Sequence, residues 1–201
     1  LGLDSLGVNV DAHSGKLTVQ NEQTNIPHIY AIGDIIEGGL ELTPVAILAG
    51  KLLARRLFGQ GRETMRYDLI PSVVFTPLEM GVVGITEEEA RTKYGESNVD
   101  AYLSQFAPLE WTLQENPPNC FVKVVIRRDA SSGNTVEHVV GIHLACPGAG
   151  EIIQGFALAM KKGLTMAELH SMVGIHPTIG EELTLLKTTR SSAASFTKAG
   201  C

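Results

Sequence analysis

Met80-Gly81-Val82-Val83-Gly84-Ile85-Thr86-Glu87-Glu88-Glu89 is the stretch on which the fold turns. Its first half, Met80 to Gly84, is short, apolar and ends in glycine, which predicts a strand. Its second half is a capping box. Thr86 is the N-cap, and Glu89, three residues on, can reach back to it. The helix that follows is expected to stop near Gly95. The same kind of alternation continues downstream. Ser72 to Thr76, Asp100 to Phe106, Cys120 to Arg127 and Val139 to Ala145 read as strands, with a turn-rich connection at Asp129 to Asn134. Pro147 and Gly148 precede a predicted helix over Glu151 to Lys161, and Thr165-Met166-Ala167-Glu168 is a second capping box. Strands with interspersed helices predict an α+β layer fold, with helices on one face of a mostly antiparallel sheet.

Upstream, residues 8–34 read as a short β unit. Val8-Asn9-Val10 and Lys16-Leu17-Thr18-Val19 flank a turn, and Ile29 to Asp34 is a compact apolar strand ending in Gly33-Asp34. Thr43-Pro44 then opens a helix, with Thr43 read as N-cap and Pro44 at the first helical position. Ala46, Leu48, Ala49, Leu52, Leu53 and Leu57 keep it apolar to Phe58, and Gly59 and Gly61 end it. Residues 59–71 read as a linker. After Arg190 the sequence turns small and polar, Ser191-Ser192-Ala193-Ala194-Ser195, which predicts a mobile tail.

Bulk composition narrows the function. With 201 residues, 44% hydrophobic and 19% charged, the chain has material for one large or two small cores. A net charge of −6 argues against a nucleic-acid surface. No apolar run reaches the roughly 18 residues that span a bilayer, and the longest, Leu42 to Leu53, contains Lys51. Neither a nucleic-acid nor a membrane partner is expected. The chain opens on Leu1 without a signal-peptide pattern, so it reads as the middle of a longer protein. Cys120, Cys146 and Cys201 are widely spaced, which fits a reducing compartment rather than a disulfide framework. No metal site is expected.

Three features carry chemistry. The first is Gly33-Asp34 with the helix start at Thr43-Pro44. An Asp at a strand end can accept hydrogen bonds from a ribose or ribityl hydroxyl, and a helix N-terminus offers free N–H groups to an anionic or reduced ring. An ordinary turn Asp beside a capped helix fits equally well. The second is His176-Pro177-Thr178-Ile179-Gly180-Glu181. A His oriented by a carboxylate moves protons near neutral pH. The same Thr178-to-Glu181 spacing also fits a capping box, with His176 a plain loop residue. The third is Cys201, a thiol on a terminal segment, either a carrier of reducing equivalents or a spare thiol. Cys120 and Cys146 fall at strand edges and read as packed small hydrophobes.

Tyr30 to Asp34, Glu41-Leu42-Thr43-Pro44-Val45-Ala46 and His176-Pro177-Thr178 to Glu181 together resemble the flavin disulfide reductase family. Val74 to Glu79, Pro108-Leu109-Glu110-Trp111, Gly155-Phe156-Ala157 and the ending Ala199-Gly200-Cys201 resemble its animal, selenocysteine-class thioredoxin reductase branch. The resemblance implies a fold of α/β plus α+β. Residues 1–65 would be the C-terminal remnant of an FAD-binding Rossmann-like domain, 66–188 a dimerisation domain, and 189–201 a flexible redox-active tail.

It also implies roles. Asp34 would hold the FAD ribityl chain, and Leu42, Thr43 and Pro44 would face the flavin pyrimidine edge. His176 would be the acid/base, with Glu181 its partner, serving a dithiol on the other subunit. Cys201 would open a C-terminal redox pair, with a selenocysteine expected next. The implied parent is a cytoplasmic or mitochondrial homodimeric NADPH-dependent enzyme that reduces thioredoxin. The chain alone would be inactive, because the family's GxGxxG strand, its CxxxxC pair and its NADPH-binding domain are missing from it. A thioredoxin–glutathione reductase and a non-catalytic dimerisation fragment are the competing expectations.

Overall fold

The computed structural model describes residues 1–111, 113–114, 119–130, 133–192 and 195–197. The chain forms two units, Leu1–Asp68 and Leu69–Cys201.

In the first unit the regular element is helix α1, Thr43–Phe58. Its N-cap is Leu42, and no side chain caps it. Thr43 is therefore the first helical residue and not the cap expected from sequence. Pro44 lies in the first turn, where its missing N–H has no helical acceptor to lose. The expected strands before α1 do not form. Single bridges join Val10 to Leu17, Leu17 to Ile36 and Gln23 to Tyr30, and Gly33–Ile35 is one 3-10 turn.

The physical reason is local competition for backbone hydrogen bonds. The Asp11 carboxylate accepts from the amides of His13, at 2.9 Å, and Ser14, at 2.8 Å. The Thr24 hydroxyl bonds both Ile26 and Ile29. Pro27 offers no amide at all. Val8, Leu17, Ala31 and Ile36 form a small core. Glu22, 1% exposed, ties this loop region to α1 through an ion pair with Arg56, and the Tyr67 hydroxyl donates to it at 2.8 Å.

The second unit is built on five strands: β1 Ser72–Val74, β2 Met80–Gly84, β3 Val99–Phe106, β4 Cys120–Asp129 and β5 Val136–Ala145. Their order is β1-β2-β5-β4-β3, and every neighbouring pair is antiparallel. Helices α2 Glu87–Tyr94, α3 Ala149–Lys161, α4 Met166–Ser171 and α5 Glu181–Thr184 cover it. Both expected capping boxes are present. The Thr86 hydroxyl accepts from Glu89 N at 3.1 Å while Glu89 accepts from Thr86 N at 2.7 Å, and Thr165 and Glu168 repeat the arrangement.

Alternation along β4 sorts the helices between the two faces. Val122, Val124 and Ile126 join the main core with Ile153, Met160, Leu169 and Leu183 from α3, α4 and α5. Val125 instead packs with Ala90 of α2 and Val99. One helix thus lies on the face that the sequence reading left bare. Burial of both faces explains the consecutive apolar residues Val124, Val125 and Ile126 in β4.

Two backbone features shape the sheet. Val125 pairs with Gly141 but Ile126 pairs with Val139, so β5 carries a bulge at Val140. At that bulge the Ile85 amide donates to Val140 O at 3.0 Å. A Cβ on Gly141 would lie 2.1 Å from Ile85 O, so only glycine lets the chain leaving β2 pass.

The outer edge of β3 is covered by the chain's own end. Leu103 N donates to Thr188 O, and Gln105 N to Phe196 O, both at 2.9 Å. The sequence reading made residues 189–201 a mobile tail, yet Thr189 bridges Tyr102, and Arg190–Ser192 form a 3-10 turn against the sheet. Covering an edge strand blocks strand addition by other chains.

Gly141→Ala should lower the stability of this unit by about 2–3 kcal/mol, because the new methyl overlaps a fixed carbonyl. Urea unfolding followed by circular dichroism should show a lower midpoint. An unchanged midpoint would mean that the crossing can relax.

Candidate active site

The loop between α4 and α5 carries the sequence-predicted His and Glu. Both ends of the loop are anchored by apolar burial. Leu169 of α4 and Leu183 and Leu186 around α5 lie in the main core, and His170 Nε2 bonds Leu186 O at 2.7 Å. Between these anchors the chain is exposed, and the His176–Pro177 peptide is cis.

Thr178 fixes the turn that brings His176 and Glu181 together. Its hydroxyl donates to Ile175 O at 2.7 Å and accepts from Glu181 N at 3.2 Å. That is one half of a capping box. In the second half the Glu181 carboxylate would turn back to the amide of Thr178. Instead Glu181 Oε2 lies 2.9 Å from His176 Nδ1. The Thr178 hydroxyl satisfies the Glu181 amide, and the Glu181 carboxylate is left to hold the imidazole.

The pair is asymmetric in exposure. The His176 side chain is 64% exposed and that of Glu181 only 18%. The carboxylate is held in the fold and the imidazole is presented outward. An ionised carboxylate can only accept, so Nδ1 carries the proton and Nε2 faces outward, free to accept or donate.

Beside the pair lies a cleft of about 510 Å³, lined among others by Phe106, Leu109, Pro147, Ile152, His176 and Glu181. In the same loop, just before His176, Val173 is 90% exposed and Ile175 75%. Large apolar side chains left this open suit a contact surface.

Residues 70–186 match the model of the pyridine nucleotide-disulphide oxidoreductase dimerisation domain. The chain belongs to the pyridine nucleotide-disulphide oxidoreductases. Among curated relatives, the chain is 48% identical over 210 aligned positions to "Thioredoxin reductase SEP1" of Emiliania huxleyi; the match covers 100% of this chain and 41% of that protein. The chain thus spans about two-fifths of the length of that relative.

In a member of a family named for disulphides, the state of the thiols matters. Cys120 and Cys146 are both fully buried in the sheet core. Burial pushes the Cys120 thiol up to about 11 and the Cys146 thiol up to about 12. Neither forms appreciable thiolate at neutral pH, so neither is a nucleophile in the folded state. Cys201 lies outside the described residues.

In the first unit, Asp34 sits in the 3-10 turn Gly33–Ile35 and is exposed. That turn packs on the start of α1. Gly33 has φ +74, and a Cβ there would lie 3.2 Å from Ala46 Cβ. The turn that carries Asp34 thus lies against the first turn of α1, which begins at Thr43 and Pro44 after Leu42. Two signals were missed: the cis peptide at His176, and the exposed Val173 and Ile175, which sequence alone cannot separate from core residues.

Iodoacetamide at pH 8 should leave Cys120 and Cys146 unmodified in the native chain and modify both after unfolding in urea, read by peptide mass spectrometry. Rapid native labelling of either would contradict their assignment to the core.

Proposed function

We propose that this chain supplies the proton-transfer residues, part of the FAD site and the subunit interface of an NADPH- and FAD-dependent thioredoxin-disulfide reductase that works as a homodimer. The observation that carries the reading is the 2.9 Å contact between His176 Nδ1 and Glu181 Oε2 on an otherwise exposed imidazole. A structural histidine is normally packed; this one is oriented by a sheltered carboxylate and aimed outward. Its setting supports the reading. It stands in a dimerisation domain, beside a cleft, among apolar side chains that a second protomer would cover. The substrate class follows from the relative's name.

In thiol–disulfide exchange a thiolate attacks one sulfur, a new S–S bond forms as the old one breaks, and the other sulfur leaves as a thiolate. His176, protonated at both nitrogens, donates from Nε2 to the leaving sulfur. The neutral imidazole then accepts a proton from the next attacking thiol. Glu181 keeps Nδ1 protonated throughout, holding the ring in the useful tautomer and stabilising its cation. The residues suited to holding FAD are Asp34, for a ribityl hydroxyl, and the helix start at Leu42, Thr43 and Pro44, whose partial positive charge suits the electron-rich edge of the ring. FAD, when bound, relays the electron pair between nicotinamide and disulfide. Cys201 is the exit thiol, first member of a C-terminal redox pair that passes the reducing equivalents on to thioredoxin.

His176→Ala in the full-length enzyme should lower kcat for protein disulfide about 10²–10⁴-fold, the usual worth of a general acid, and leave turnover of a quinone acceptor at the flavin intact. Unchanged disulfide turnover at saturating NADPH would contradict the role.

A further inference from the structure

The exchange chemistry leaves unused the buried charge cluster that grips the chain before its C-terminus. Glu87 opens α2 and Asp100 lies on β3, and their side chains are 6% and 1% exposed. Each has a cation from the body of the sheet unit. Arg91 bonds Glu87 at 2.9 Å and Lys123 lies 3.6 Å from it, while Arg128 bonds Asp100 at 2.9 Å. Each also has a second partner from the C-terminal segment. Arg190 Nε lies 2.8 Å from Glu87 Oε1. The Ser191 hydroxyl donates to Asp100 Oδ2, and its amide donates to Oδ1 at 3.3 Å.

The burial of Glu87 and Asp100 by itself would raise their carboxyls. The hydrogen bonds from these partners outweigh it and hold both below the usual carboxylate range. Further along, Gln105 bonds Phe196 O, and the Phe196 ring meets Phe121 edge-on at 6.1 Å.

We propose that Glu87 and Asp100 form a clasp for Arg190–Ser191, and that Arg190 and Ser191 are positioning residues that set the reach and direction of the Cys201 thiol. The inference rests on the reading of Cys201 as the exit thiol. With the clasp closed, the fixed point nearest Cys201 is Phe196, whose carbonyl accepts from Gln105 N; from there to Cys201 is five residues, a span of at most about 17–18 Å. Opening the clasp releases Thr188, Thr189 and Phe196 from β3 as well, so the nearest fixed point becomes Leu186 in the core, fifteen residues from Cys201. Effective concentration falls roughly as the −3/2 power of length, so the longer tether alone costs about fivefold. Loss of direction adds to that. Because Arg91, Lys123 and Arg128 remain, opening the clasp leaves no buried carboxylate uncompensated, and the sheet stays folded.

The test uses Arg190→Ala, Ser191→Ala and Arg190→Lys in the full-length enzyme, with Cys201→Ser alongside. Hydrogen exchange should speed up at least tenfold, at order-of-magnitude level, at the Leu103 and Gln105 amides in the two alanine variants but not along β4. The kcat for protein disulfide should fall about five- to tenfold with quinone turnover unchanged, and Arg190→Lys should recover most of it. Unchanged exchange in both alanine variants would remove the clasp. Faster exchange with unchanged kcat would reduce it to a structural contact and overturn the positioning role. Cys201→Ser separates the two readings. If it leaves disulfide turnover intact, the exit-thiol reading fails, and the amide data still judge the clasp.

Discussion

The hydrogen bond between His176 and Glu181 is the constraint around which the second unit is organised. It needs an imidazole that reaches solvent and a carboxylate that does not, five residues apart in one short loop. The fold achieves this by burying what flanks the pair. Leu169, Leu183 and Leu186 seat the loop's two ends in the sheet core, and Thr178 satisfies the first amide of α5. The Glu181 carboxylate is thereby released from capping duty. The loop's position is thus owed to the apolar core beneath it, and its chemistry to one diverted carboxylate.

The sheet itself was largely legible in the sequence, because its signals are local. β2 came out at its expected bounds, and both capping boxes formed, since Thr86 with Glu89 and Thr165 with Glu168 satisfy each other's orphan amides without help from elsewhere. What could not be read is what depends on distant partners. The runs in 8–34 have strand composition, but each is short and rich in side chains that bond the backbone, so bridges form and ladders do not. The seat of α2 on the opposite face depends on Val125 pointing away from Val124, and the β5 bulge on the amide of Ile85, just past β2. The composition after Arg190 reads as mobile. It could not reveal that Glu87 and Asp100, 103 and 91 residues upstream, hold Arg190 and Ser191.

The candidate site was legible in content but not in outcome. The Thr178-to-Glu181 spacing supports a capping box and an imidazole partner equally, because both use the same carboxylate at the same helix start. Only its orientation decides, and that is a property of the folded loop. Asp34 and the start of α1 were likewise nameable from sequence, whereas their contact depends on Gly33 at positive φ, which lets the turn approach Ala46 closely.

The acid/base proposed at His176, with Val173 and Ile175 exposed near it in sequence, would be half of a site. The central claim is that the other half belongs to a second protomer. The direct measurement is complementation in the full-length enzyme. Homodimers with His176→Ala and homodimers with the flavin-side dithiol changed to serine are each purified, mixed, unfolded and refolded together. Random pairing makes about half the dimers mixed, each with one intact composite site. The account predicts recovery of about a quarter of wild-type disulfide reduction. No recovery, with mixed dimers demonstrably formed, would show that each chain completes its own site and would contradict it.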